Sequence, residues 1–170
     1  DRYWNVLAAN RAADRLLRAF GRSLDCLGDG PPNIMRLMFD PRGMRPNFGN
    51  WAQAARMLLN RVRRAVAGAP DDARMRALLD MILACPDVPG PDADDDAHAT
   101  PPLVFPLQFR NERLTLNMFS TYTMLGKPQD VTLDELVIET VFPADAASDA
   151  LMRRLAVEDT ANTASPGAPR

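Results

Sequence analysis

The hydrophobic residues of this chain change their period once, near residue 102, and that change limits the fold more than any single motif. Before it, apolar side chains return every three or four residues, as they do along one side of a helix. After it they alternate. Leu103, Phe105, Leu107 and Phe109 are interleaved with Val104, Pro106, Gln108 and Arg110, the two-residue repeat of a strand. The stretch between, "PDVPGPDADDDAHATPP" at 86–102, is Pro-rich, acidic and nearly free of large apolar groups, which is the composition of a solvated loop or linker. Helices first and strands afterwards predict an α+β domain, with helices gathered on one face of an antiparallel sheet.

The elements follow from the same patterns. "YWNVLAA" at 3–9 reads as a short strand, and Asn10 as the cap of a helix that carries Ala12, Leu16 and Phe20 on one face. Asn33 precedes a short helix that Pro41 stops. Asn50, with Gln53 three residues on, resembles a capping box before the longest helix, whose apolar positions are Trp51, Ala55, Leu58, Val62 and Val66. Asp71 or Asp72 opens a fourth helix, and Pro86 closes it. Strands are predicted near 103–110, 114–125 and 133–142, with Pro106 marking the first as an edge or a bulge. Asp145 caps a last helix with Leu151 and Leu155. The domain is expected over 1–156, with residues 157–170 as a disordered tail.

Composition excludes several functions. Apolar residues make up 46% of the 170, enough for a real core, and the net charge of −2 argues against the whole chain being a nucleic-acid surface. Lys127 is the one lysine among twenty basic residues. This Arg bias, beside abundant Ala and Asp, is read as a GC-rich coding preference. Cys26 and Cys85 form no C-x-x-C pair and His98 is the single histidine, so no zinc site and no cofactor are expected. Two reduced thiols, no signal peptide and no membrane-length apolar run place the chain in the cytoplasm. It opens at "DRYWNVLAAN", already inside a patterned segment, as a piece of a longer protein would.

Catalytic groups are hard to assemble. A His-dependent hydrolase needs a base within reach of its nucleophile, and the only His lies in the acidic stretch. "GDG" at 28–30 is a turn and no phosphate fingerprint. "DADDD" at 92–96 lacks the ligand spacing of a calcium loop. No enzyme is expected.

Four stretches together resemble one family: "RYWNVLAANRAADRLL" (2–17), "NIMRLMFDPRGMRP" (33–46), "NWAQAARMLLNRVRRAV" (50–66) and "FSTYTMLGKPQDVTLDELVIETVFPAD" (119–145). They are similar to the MmyB-like ligand-binding domain of bacterial XRE-type helix-turn-helix transcription regulators. The resemblance implies a PAS-like sheet with helices over one face, and a cavity between them for a small hydrophobic molecule of the fatty-acid class. It also implies that DNA is reached only through a helix-turn-helix domain outside these residues, and that a homodimer is possible. Many members carry a His-Pro pair where this chain has Phe105-Pro106, so no role of that His transfers.

The residues themselves leave an effector-sensing module and a ligand-free dimerisation domain both open. For the first, the expected pocket is bounded by Leu116, Met118, Tyr122, Ile138 and Thr140 on the strands and by Leu37, Met38, Trp51, Ala55 and Leu58 on the helices. Tyr122 or Arg36 would orient a head group, although Arg36 reads first as a structural ion pair. Methionines, which adapt to irregular spaces, recur in these elements.

Overall fold

The computed structural model describes residues 1–20, 31–90, 106–124 and 136–162. Four helices come first: α1 (Arg11–Ala19), α2 (Ile34–Phe39), α3 (Trp51–Gly68) and α4 (Ala73–Leu83). An antiparallel sheet follows, in the order β1 (Leu107–Arg110), β2 (Thr115–Met124), β3 (Val137–Pro143), and α5 (Ala146–Asn162) ends the described chain. This is the α+β arrangement that the change of period predicts, with helices packed on the sheet.

Side-chain caps start most of the helices. The Oδ1 atoms of Asn10, Asn33, Asp72 and Asp145 accept the backbone N–H groups of Ala13 (2.9 Å), Arg36 (3.1 Å), Met75 (3.0 Å) and Ser148 (2.7 Å). Each satisfies one of the donors that a first turn leaves unpaired.

Asn50 is the exception, and the capping box does not form. Its amide reaches across to β1 instead, donating to the Pro106 carbonyl at 2.9 Å and accepting from the Gln108 N–H at 3.0 Å. Beside it the Gly49 N–H donates to the Gln108 carbonyl at 2.8 Å. β1 is an edge strand, as Pro106 suggests, and this loop closes its outer side.

The strand expected at 3–9 is absent. Trp4 has φ 60°, which breaks an extended run. The Asp1 carboxylate gathers the N–H groups of Tyr3 and Asn5, both at 2.9 Å, into a turn. The segment then pairs with the approach to α2, through Val6 N–H to Pro32 and Ile34 N–H to Trp4, rather than with the sheet. Tyr3 and Arg2 fasten it to Asp72 at the start of α4, at 3.1 and 3.0 Å.

The acidic stretch begins under restraint. Arg45 donates to the Pro86 carbonyl and pairs with Asp87 at 2.6 Å. Residues 91–105, with the first part of the strand expected at 103–110, lie outside the described residues, as do 133–135 of the last strand. α5 continues to Asn162, past residue 157 where the tail was expected to begin.

Candidate functional site

Helix α3 is buried on two sides, and each side has its own core. Toward the sheet, Ala54 joins Leu37, Met44, Phe48, Leu107, Phe109, Leu116 and Met118, with Phe20 of the α1 end and Leu151 of α5. Toward α2 and α4, Ala55, Leu58, Leu59 and Val62 join Met35, Phe39 and Ile82. Trp51, Met57 and Met38 touch both. The split follows from helical geometry, since neighbouring positions point about 100° apart and Ala54 and Ala55 face different partners.

The residues predicted to bound a pocket therefore do not form one set. Leu37, Leu116 and Met118 lie in the sheet-side core and Met38 and Trp51 border it, whereas Ala55 and Leu58 belong to the helix-side core. Register separates two more. Directly opposed residues of an antiparallel pair share a face, and Ser120 opposes Val141 while Tyr122 opposes Glu139. Ile138 and Thr140 oppose Thr123 and Thr121, so they lie on the other face of the sheet from Leu116, Met118 and Tyr122. Ile138 is 49% exposed there, near Phe119 stacked on Phe142 at 5.5 Å. Arg36 is exposed on α2 and outside the layer. Its charge adds to that of Arg42, whose hydrogen bonds are the main cause holding the Asp40 carboxyl below its usual range.

Among the described residues two buried polar atoms make no hydrogen bond: Ser120 Oγ, on the inner face of β2, and Trp51 Nε1, between the two cores. Trp51 is fixed by Phe39 and Phe48, at ring distances of 5.4 and 5.6 Å, and by the Arg45 guanidinium 4.9 Å from its centroid. Ser120 follows Met118 on the inner face of β2. Beyond it Tyr122 lies under Arg61 of α3, whose Cζ is 4.0 Å from the ring centroid. The Tyr122 hydroxyl donates to Glu139 Oε1 at 3.0 Å. Burial first, and the Glu139 charge second, push its phenol pKa up, so it stays a neutral donor at neutral pH.

The expected pocket left out Ala54, Met57 and Arg61, which α3 turns toward the sheet. The signal was present, because positions 54, 57 and 61 recur at three- and four-residue spacing along α3. A helix buried on two sides offers several such stripes, and only the neighbours decide which one meets the sheet.

Among the described residues no group of three or more His, Cys, Asp or Glu could hold a metal. Cys85 is half-buried and its thiol pKa is pushed up, chiefly by burial, which leaves it a weak nucleophile. No helix among the described residues is long and apolar enough to cross a membrane.

Comparison with curated proteins and with solved structures finds no match to this chain. The family described as the MmyB-like transcription regulator ligand binding domain matches it over residues 1–155. That span takes in α1 to α4, the sheet and the packed part of α5, so the fold and the layer beside α3 lie within the matched region, and the chain belongs to the MmyB-like family of transcription regulator ligand-binding domains.

Proposed function

We propose that this domain senses a small hydrophobic ligand of the fatty-acid class, held between the inner face of the sheet and α3, on behalf of a DNA-binding regulator. The observation that carries the reading is the pair of buried, unpaired polar atoms, Ser120 Oγ on the inner face of β2 and Trp51 Nε1 between the two cores. Buried polar groups almost always find partners, and leaving one unmade costs about 1–3 kcal/mol. A bound molecule with an apolar body and a polar end would supply a partner to Ser120 Oγ and apolar contacts along the rest of the layer. Met57 and Met118 can shift to admit it. Such a domain works in the cytoplasm, where DNA is reached only by the helix-turn-helix part of the regulator.

Native mass spectrometry of the purified chain, followed by solvent extraction and titration with dodecanoic acid, tests this. An extractable mass in the fatty-acid range, or saturable binding of the acid, is the expected result. A bare chain that binds none would favour the other reading, a ligand-free interaction domain.

A homodimer is the second part of the proposal, since paired reading heads match a symmetric DNA site. β3 favours it as the meeting place. Among the described residues it is an edge strand, with Ile138 and Phe142 exposed on its outer face and in neither core. Sedimentation of the parent beside Phe142→Glu would show a dimer in the first and a monomer in the second. A monomeric parent at high concentration would remove the idea.

A further inference from the structure

The guanidinium of Arg45 does two things at once. Its Cζ lies over the Trp51 ring, 4.9 Å from the centroid, while its N–H groups donate to the Pro86 carbonyl and to Asp87 at 2.6 Å. A planar cation can stack and fork in this way, which an ammonium cannot. The Arg45 side chain is 14% exposed and that of Asp87 83%, so a largely buried cation draws an outer acid inward. Asp87 has φ 52°, a left-handed conformation that L side chains adopt only at a cost. Among the described residues the polar contacts of Pro86 and Asp87 go to Arg45. On either side of the turn, Cys85 and Val88 pack against the helix-side core. Residues 85–88 therefore form a short strap, strained at Asp87 and held down by one arginine.

Trp51, at the other end of this contact, touches both cores. Its indole N–H makes no hydrogen bond, so packing on Phe39 and Phe48 and the Arg45 contact fix the ring. It also opens α3, whose first turn has no side-chain cap because Asn50 reaches to β1 instead. Resting on the ligand-sensing reading above, we propose that Arg45 is a relay. A ligand entering the sheet-side layer shifts the Trp51 ring, Arg45 loses its seat, and the strap at 85–88 is released on the other side of α3. Arg45 acts here as a positioning residue and touches no ligand. The coupling is reciprocal, so whatever frees the strap changes ligand affinity by the same factor. A clip that holds the empty state weakens binding, and its loss tightens binding.

Cys85 reports the state of the strap. Its thiol is half-buried; burial first and the Asp40 charge second push its pKa up, whereas Arg45 and Arg36 pull it down. Through charge alone, loss of Arg45 would therefore slow alkylation, while release of the strap speeds it. In a Cys26→Ser background, iodoacetamide should modify Cys85 faster once dodecanoic acid is bound. Arg45→Gln should raise the rate about tenfold without acid, the equivalent of one hydrogen bond to a charged group, and acid should then add little. Asp87→Ala should do the same, and the double variant no more than either. Arg45→Gln should also bind the acid more tightly, which a loss of folding would not give. Asp145→Asn, destabilised where β2 meets α5, should react like the parent. A Cys85 rate unmoved by bound acid would overturn the relay and leave the ligand reading in place. If the acid does not bind the parent, the ligand reading falls and the relay with it, and an Arg45→Gln rate no higher than the parent's would remove the strap as well.

Discussion

The two sides of α3 are built from the same helix and serve different ends. The side toward α2 and α4 buries Leu58, Leu59 and Val62 against Met35, Phe39 and Ile82, and Ala55 is fully buried among them. These are shape-defined hydrocarbons with every contact made by the fold itself. The side toward the sheet mixes large aromatics with Met44, Met118 and the small Ala54, and Ser120, next on that face of β2, keeps a buried hydroxyl without a hydrogen bond among the described residues. A close-packed core gains stability from each methylene. On the proposed function, a layer that takes in a second molecule would give up part of that gain in its empty state. The difference teaches that burial alone does not identify a site, because Ala54 and Ala55 are equally buried and only one meets the sheet.

That contrast can be broken by experiment, most forcefully in the helix-side core. Leu59→Ala should lower stability by about 2–5 kcal/mol in urea unfolding, the usual cost of a deleted core leucine. The affinity of the remaining folded protein for dodecanoic acid should not change. Met118→Ala, across α3, should cost about 2 kcal/mol, the low end for a buried methionine, and should alter that affinity. Equal losses at the two positions with identical binding would erase the distinction.

The neighbouring alanines sharpen it. Ala54→Leu and Ala55→Leu each add three carbons to a buried site and should each cost about 1–3 kcal/mol through overpacking. Only Ala54→Leu should block displacement of a bound fluorescent acid. If Ala55→Leu blocks it instead, the ligand lies on the helix side.

The smallest effect concerns how the sheet side is tied to α5. Asp145 accepts from the Asn117 amide at 2.7 Å, its main cause of a lowered pKa, and from the Ser148 N–H. Its folded pKa lies below the unfolded value, so its contribution is full above the ordinary carboxylate range and disappears as pH falls through the folded pKa. Asp145→Asn should melt below the parent at pH 7, and the gap should close by pH 2–3. A gap that persists in acid would mean that neutral hydrogen bonding, and not charge, holds the junction.

Much of the fold was legible because periodicity reports it directly. The change near residue 102 located the three strands, and the caps at Asn10, Asn33, Asp72 and Asp145 were chemically marked. The N-terminal strand was misread because the seven residues of 3–9 cannot reveal a positive φ at Trp4 or a turn organised by the Asp1 carboxylate. Of the residues expected to bound a pocket, Leu37, Met38, Trp51, Leu116 and Met118 lie in or against the sheet-side core. Ile138 and Thr140 were not, because register is fixed by pairing across the hairpin and a slip of one residue exchanges the faces. Ala55 stood in for Ala54 because a doubly buried helix has no single apolar stripe.

The loop at 48–50 carries a consequence for assembly. By occupying the outer side of β1 through Gly49 and Asn50, it leaves the sheet with one sealed margin. Among the described residues the far side of β3 has no strand beside it. Growth by strand addition is thus open, among the described residues, in one direction only. Two copies joined through β3 would use up both available margins and present sealed ones outward, so the association is self-terminating at a pair and cannot propagate into a fibre.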